Sequence, residues 1–193
     1  AVPPSLALKH YLGTDSVGRD LLARTLFGGR VSLTVGLLAT SVALFIGVTV
    51  GAIAGYLGGR IDDLMMRFVD ILLSVPFMFL VIMINVSLGD FLGMKNVSLF
   101  IAVVVTLWLT PAVIARGQAV SLRNREFVEA ARAGGMSSWQ IICQHVAPNS
   151  VNVVIVYSSL LVLEAILTES FLSFLGIGVQ APAASWGTLI NSG

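Results

Sequence analysis

The side chains able to do covalent or acid–base chemistry are few in this sequence, and their spacing forms no reactive constellation. Histidine occurs at His10 and His145 and cysteine only at Cys143, so neither a clustered metal site nor an internal disulfide can be assembled. The lysines are Lys9 and Lys95, preceded by Leu8 and Met94, and neither stands in the Gly-Lys-Ser/Thr context of a phosphate-cradling Walker A loop. No nucleophile elbow, His-Glu zinc pattern or pair of intramembrane aspartates supports a hydrolase. What remains is polarity placed where it is expensive: Asn85, Glu164 and Glu169 lie within or beside long apolar runs. Ionisable groups in a span face a bundle interior or a water-filled path, so these are candidate lining residues of a translocation route. For Glu164 two other roles stay open, reaching interfacial water or pairing with a basic residue of a partner subunit.

The elements that would position such residues are membrane helices. Of the 193 residues 56% are hydrophobic and 11% charged, with mean hydropathy +0.94, against about 25% charged in an average soluble domain. A net charge of +1 gives no basic stripe, which excludes a nucleic-acid partner. The fold class is therefore all-α, a polytopic helical bundle in contact with lipid. Residues 1–30 form a polar segment in which Ser16 is a candidate helix cap ahead of Leu21, Leu22 and Leu26. Val31 to Leu57 carries no charge and exceeds the roughly 20 residues needed to cross the hydrocarbon core. Within it Ala39, Ala43, Gly47, Gly51 and Gly55 recur at every fourth residue, a small-residue ridge suited to close helix packing. A second span runs from Ile71 to Leu88, with Pro76 kinking it or marking its start. A third runs from Leu99 to Ala115 and bends at Thr110-Pro111, and a fourth runs from Val151 to Leu167.

The longest polar interruption, Asn124 to Asn149, reads as two short amphipathic helices joined at Gly134-Gly135. In the first, Phe127, Ala130, Ala131 and Gly134 share a small-residue face, while Arg125, Glu129 and Arg132 stand at pairing distance along the helix. In the second, Ser137 and Gln140 fit a capping box, and Trp139, Ile142, Cys143 and Val146 fall on one apolar face until Pro148 stops the helix. Cys143 reads there as a small core residue.

Glu129-Ala130-Ala131, then Gly135, then His145-Val146-Ala147-Pro148-Asn149 closely resemble the "EAA" loop of permease subunits in bacterial ABC importers. The one departure is Ala147, where an aliphatic residue usually precedes the proline. Gly13-Thr14-Asp15-Ser16-Val17-Gly18-Arg19-Asp20, Pro76-Phe77 and the stretch from Glu169 to Trp186 resemble the peptide and nickel branch of that family, so the likeness covers nearly the whole chain. The resemblance implies that Arg125, Phe127, Glu129, Ala130, Ala131, Gly134, Gly135, Trp139, His145 and Pro148 couple to a cytoplasmic ATPase. It implies as partners a second permease subunit, two ATPase subunits and an external substrate-binding protein, besides membrane lipid. No cofactor is expected on this chain; ATP and Mg would be bound by the ATPase subunits.

The same resemblance divides the chain into an external polar segment (1–30), a transmembrane permease domain (31–170) holding the cytoplasmic loop at about 116–150, and an external loop (171–193). Orientation rests on it as well, because Lys and Arg number five on one side of four spans and six on the other. Family members of this branch usually have six spans, which implies one missing at each end here, in a bacterial inner-membrane protein. The expected cargo is an oligopeptide or dipeptide, with nickel, glutathione or antimicrobial peptides as alternatives. An ion-coupled carrier or a purely structural membrane subunit are the competing readings from other classes.

Overall fold

The computed structural model describes residues 4, 10–15, 17–179 and 184–192; Lys9, Ser16 and Gln180 lie outside them. The described residues are almost wholly helical and contain no strand, only an isolated bridge between Thr14 and Asp20. In chain order the helices are α1 (Leu21–Leu57), α2 (Gly59–Leu73), α3 (Phe77–Leu92), α4 (Lys95–Leu107) and α5 (Leu109–Leu122). The series continues with α6 (Glu126–Ala133), α7 (Ser138–Ile141), a π-helical turn (Ile142–Val146), α8 (Ala147–Phe174) and α9 (Trp186–Ser192). Among the described residues three helical runs are long and apolar enough to cross a membrane, Leu21–Leu57, Asn96–Leu122 and Ser138–Phe174, and the bent pair α2–α3 brings the number to four if it counts as one span.

The first span begins ten residues earlier than expected, at Leu21. Asp20, rather than the expected Ser16, caps it, accepting from the Leu22 and Ala23 amides. The helix continues through Arg24 and Arg30 because Arg24 is paired with Asp15 and Arg30 is exposed, while Gly28 and Gly29 are buried under Ser185 and Trp186. The second span is also redrawn. Ile71 to Leu73 end α2, and the chain turns by 91° before α3 starts behind Pro76, which supplies no amide to continue α2. Between α4 and α5 the break falls at Trp108, for the related reason that Pro111 has no N–H for the Leu107 carbonyl.

α1 is the centre of the bundle. Its ridge of small residues lies against α5, and a side chain there has nowhere to go. A Cβ at Gly47 would stand 2.6 Å from the Pro111 Cβ and 2.7 Å from the Trp108 carbonyl oxygen; one at Gly55 would stand 2.8 Å from the Ala119 Cβ. Ala39 and Ala43 continue the ridge toward the other end, fully buried in a core shared with Val81, Leu99, Val103 and Leu161. Such contact gains dispersion energy that lipid tails could not replace. α8 crosses α1 on another side, where a Cβ at Gly36 would meet Ile166.

Candidate functional site

The polar loop folds as two helical pieces around a left-handed glycine. α6 ends at a Gly134 cap, Gly135 takes φ +83°, and the chain re-enters α7 through Ser137. The Ser137 hydroxyl accepts from the Gln140 amide at 3.3 Å and the Ser137 amide donates to Gln140 Oε1 at 2.9 Å, a complete capping box. Val128, Ile141, Ile142 and Val146 turn inward and join Ala52, Tyr56 and Ala119 in one apolar cluster, so the loop is seated on the ends of α1 and α5. Ala131 packs against that cluster as well, inward of the face on which it was grouped with Phe127. The opposite side carries Phe127, Glu129, Ala130, Gly134 and Trp139, all exposed, Trp139 at 60%.

Three expectations about this loop need correction. Pro148 does not stop the helix, since α7, the π-turn and α8 form one run from Ser138 to Phe174. The π-turn makes this possible: the Ala147 amide bonds to Ile142, five residues back. The widened ring keeps the proline from breaking the helix. Nearby carbonyls are satisfied by side chains, that of His145 by the Asn149 amide at 2.5 Å and that of Val146 by the Ser150 hydroxyl at 2.8 Å. The same extra residue rotates the apolar face, which leaves Cys143 exposed rather than in the core and Trp139 apart from Ile142 and Val146. Finally, among the described residues Glu129 makes no ion pair with Arg125 or Arg132. Arg132 instead reaches Tyr56, 5.8 Å from its ring and 3.5 Å from its hydroxyl, and His145 tilts against Phe127 with ring centroids 6.1 Å apart.

At the other end of α8, Glu169 is fully buried and its carboxylate is engaged. It accepts from Ser32 of α1 and from Ser173, each at 2.7 Å. Both hydroxyls also accept an amide of the following segment, Trp186 at Ser32 and Val179 at Ser173. Expected on a translocation path, Glu169 is used instead to fasten the segment after α8 to α1. Asn85, also expected on the path, is buried and ties α3 to its surroundings, accepting from Ser98 at 2.8 Å and donating to the Ile177 carbonyl at 2.7 Å. Glu164 differs from both. Among the described residues it has no hydrogen-bond or charged partner, and it opens into a cavity of about 240 Å³ shared with the α2–α3 and α4–α5 breaks.

Before α1, Asp15 organises the Gly13–Asp20 segment. It accepts from the Val17 and Arg19 amides at 3.0 and 2.8 Å and from the guanidinium groups of Arg19 and Arg24 at 2.8 and 2.6 Å. The Arg19 amide and guanidinium together hold its carboxyl down to about 2. Asp20, bonded to His10 at 3.1 Å and to the first amides of α1, is also lowered, chiefly by His10. Both aspartates are thus cap and ion-pair residues.

A family model described as "Binding-protein-dependent transport system inner membrane component" matches residues 47–193, which include the loop, α8 and the segment after it. The chain belongs to that family. It is 50% identical over 191 residues to the oligopeptide transport system permease protein OppC of Haemophilus influenzae, covering 98% of this chain and 60% of that protein. It is 50% identical over 190 residues to OppC of Escherichia coli K12, covering 98% of this chain and 62% of that protein, and 44% identical to the dipeptide transport system permease protein DppC of Bacillus subtilis, covering 100% and 58%. The chain thus spans about three fifths of the length of these curated relatives. It is a multi-pass membrane protein, helical throughout the described spans.

Sequence reasoning missed the polar joints of this family member. Asp62 on α2 and Arg116 on α5 form a bidentate pair at 2.6 and 2.7 Å, with the Asp62 side chain only 10% exposed. Asp62 shares the inward face of α2 with Met66 and Val69, and an acid at i before apolar residues at i+4 and i+7 was the available signal. The Glu169 anchor had none, because Ser32 lies 137 positions away.

Proposed function

We propose that this chain is the greater part of a permease subunit in an ATP-driven, binding-protein-dependent importer of oligopeptides or dipeptides. The observation that supports it most is the 124–149 loop: two capped helical pieces pivot at Gly135, rest on α1 and α5 by one face, and leave Phe127, Ala130 and Trp139 exposed on the other. That exposed face would sit in a groove of a cytoplasmic ATPase subunit, which binds the ATP and Mg that this chain lacks a Walker A loop to hold. Phe127, Ala130 and Gly134 would make the close contact. Glu129 and Arg125 would meet charges of the ATPase, and His145 would hold the Phe127 ring. Pro148, at the start of α8, fixes where motion of the loop enters the span. Closure of two ATPase subunits would then move the loop and α8 together and shift the permease pair between outward- and inward-open packings.

In this reading the loop is cytoplasmic and both ends of the chain are external, where a binding protein would deliver cargo near Trp186. The oligopeptide and dipeptide permeases among the relatives support the cargo class. The test is purification of the full-length subunit with its genomic neighbours, followed by ATPase activity with and without a peptide-loaded binding protein. A stable complex whose activity rises on adding the loaded protein is the expected result. A subunit that purifies alone, or transports without ATP, would instead favour an ion-coupled carrier.

A further inference from the structure

Among the described residues, one face of α1 near its start is left open. Ala23, Phe27, Arg30, Val31, Thr34 and Val35 recur along it at helical spacing and line a groove of about 770 Å³. Arg19 and Arg24 stand at the end nearer the helix start, and Ala184 runs along one side. The two halves of the groove differ in chemistry. Phe27, Val31 and Val35 form an apolar track leading toward the middle of the span, and Phe27 is 65% exposed. The other half gathers three guanidinium groups.

Two carboxylates stand against those three charges, and both are already engaged. Asp15 accepts from Arg19 and Arg24; Asp20, itself part of the lining, caps α1 and is bonded to His10. The excess is one positive charge, and it belongs to Arg30. That residue is exposed and, among the described residues, makes no ion pair.

The level of Arg30 in a bilayer follows from the uncharged run behind it. Val31 to Leu57 rises about 40 Å, which matches the roughly 40–45 Å of a bilayer with its headgroup layers. Arg30 therefore stands among phosphates rather than in hydrocarbon. Trp186 marks the same level: its ring lies against Gly29 and its indole N–H donates to the Thr25 carbonyl at 3.3 Å. Tryptophan settles at the headgroup boundary because one part of its ring system is apolar and the N–H is polar. An unneutralised guanidinium at that boundary, at the head of an apolar track, is complementary to a phospholipid, with its phosphate at one end and an acyl chain at the other. A free anion or a water-borne acidic protein would leave Phe27, Val31 and Val35 bare.

We infer that the groove along α1 is a binding site for an anionic phospholipid. Arg30 holds the phosphodiester, helped by the N–H groups that Arg19 and Arg24 do not give to Asp15, and one acyl chain lies along Phe27, Val31 and Val35. The planar guanidinium fork can donate two parallel bonds to phosphate oxygens. A headgroup of net negative charge is preferred to phosphoethanolamine, because both nearby carboxylates are engaged and neither is free to answer an ammonium. The site is independent of the cargo and of the direction of transport, so it goes beyond the importer reading and does not fall with it.

The test uses the full-length subunit in its native assembly, reconstituted in phosphatidylcholine vesicles that contain a small fraction of phosphatidylglycerol or phosphatidylethanolamine with a photoactivatable diazirine in the acyl chain. After illumination, the labelled peptides are mapped by mass spectrometry and normalised to total labelling of the assembly. Phosphatidylglycerol should label the stretch from Phe27 to Val35 well above phosphatidylethanolamine. Arg30→Gln should lower that labelling about fivefold, and Arg30→Lys, which keeps the charge, should retain most of it. Excess inorganic phosphate should leave it unchanged. Equal labelling by the two lipids would mean ordinary lipid contact only and would overturn the inference, as would an Arg30→Gln variant labelled like wild type. An unlabelled stretch in wild type, with label elsewhere on the assembly, would show the groove covered by protein and overturn it too. Loss of label to inorganic phosphate would make it a site for free anions instead.

Discussion

Removing Arg116 should cost the fold more than removing its partner Asp62, although the two share the same pair of hydrogen bonds. Asp62 is 10% exposed as a side chain and Arg116 39%. When Asp62→Ala frees Arg116, the guanidinium can swing into water, and the loss is the pair itself, about 1–2 kcal/mol. When Arg116→Met removes the cation, the Asp62 carboxylate stays on the inward face of α2, and Asp63 and Asp70, whose charges also act on Arg116, lose their nearby counter-charge. A buried charge stripped of its partner costs about 3–5 kcal/mol, of which the partial exposure of this pair leaves roughly 3. The double variant, in which neither charge remains, should recover part of that loss, giving a coupling of about 2 kcal/mol. Unfolding of the full-length subunit in mixed micelles, titrated with SDS and followed by tryptophan fluorescence, measures all four corners of the cycle. Equal single-variant costs, or a double variant worse than Arg116→Met, would refute the reasoning that burial of Asp62 sets the asymmetry.

The glycine ridge predicts that Gly51→Leu destabilises by more than about 3 kcal/mol, because the added side chain enters the α5 backbone at Ala112 and Arg116, whereas Gly117→Ala, which meets nothing within 4 Å, should be nearly silent in the same titration. Ser137→Ala removes one half of the capping box and should cost about 1 kcal/mol, read as faster amide exchange at Gln140 with the spans unaffected. Gly135→Val forces a β-branched residue to φ +83° and should abolish coupled uptake while membrane insertion, measured by fractionation, stays normal. The Asp15 carboxyl is lowered from 3.8 to about 2, so the stability it lends the Gly13–Asp20 segment is complete above pH 3.8 and lost as pH falls through about 2. The Arg19 side-chain N–H resonance should shift over that window, and Asp15→Asn should abolish the titration.

What could be read from the sequence was whatever depends on local composition. Apolar runs located the three long apolar helical runs and the bent pair α2–α3, small residues at every fourth position identified the face of α1 that packs against other helices, and Ser137 with Gln140 announced a helix start that the structure builds hydrogen bond for hydrogen bond. Boundaries were less legible, because a helix accepts arginines on an exposed side as readily as leucines, so α1 runs on past Arg30. The π-turn escaped because hydrophobic periodicity assumes 3.6 residues per turn; one turn of a different pitch moved Cys143 outward and carried the helix through Pro148. Acids in apolar surroundings look alike in sequence whatever answers their charge. Only the fold separates Glu169, held by two serines, from Glu164, which opens into a cavity.

The continuity of the helical run from Ser138 to Phe174 has a geometric consequence. Its 37 residues, at about 1.5 Å of rise each, make a rod of roughly 55 Å, longer than the hydrocarbon core is thick. One tip carries the exposed indole of Trp139, and close to the other Glu169 holds the strap that leads to Trp186. A tilt of about 5° about one tip would carry the other through an arc of about 5 Å, given that length. The stretches of chain at its two ends are therefore mounted on a single beam, and a small tilt at one is magnified into a displacement at the other.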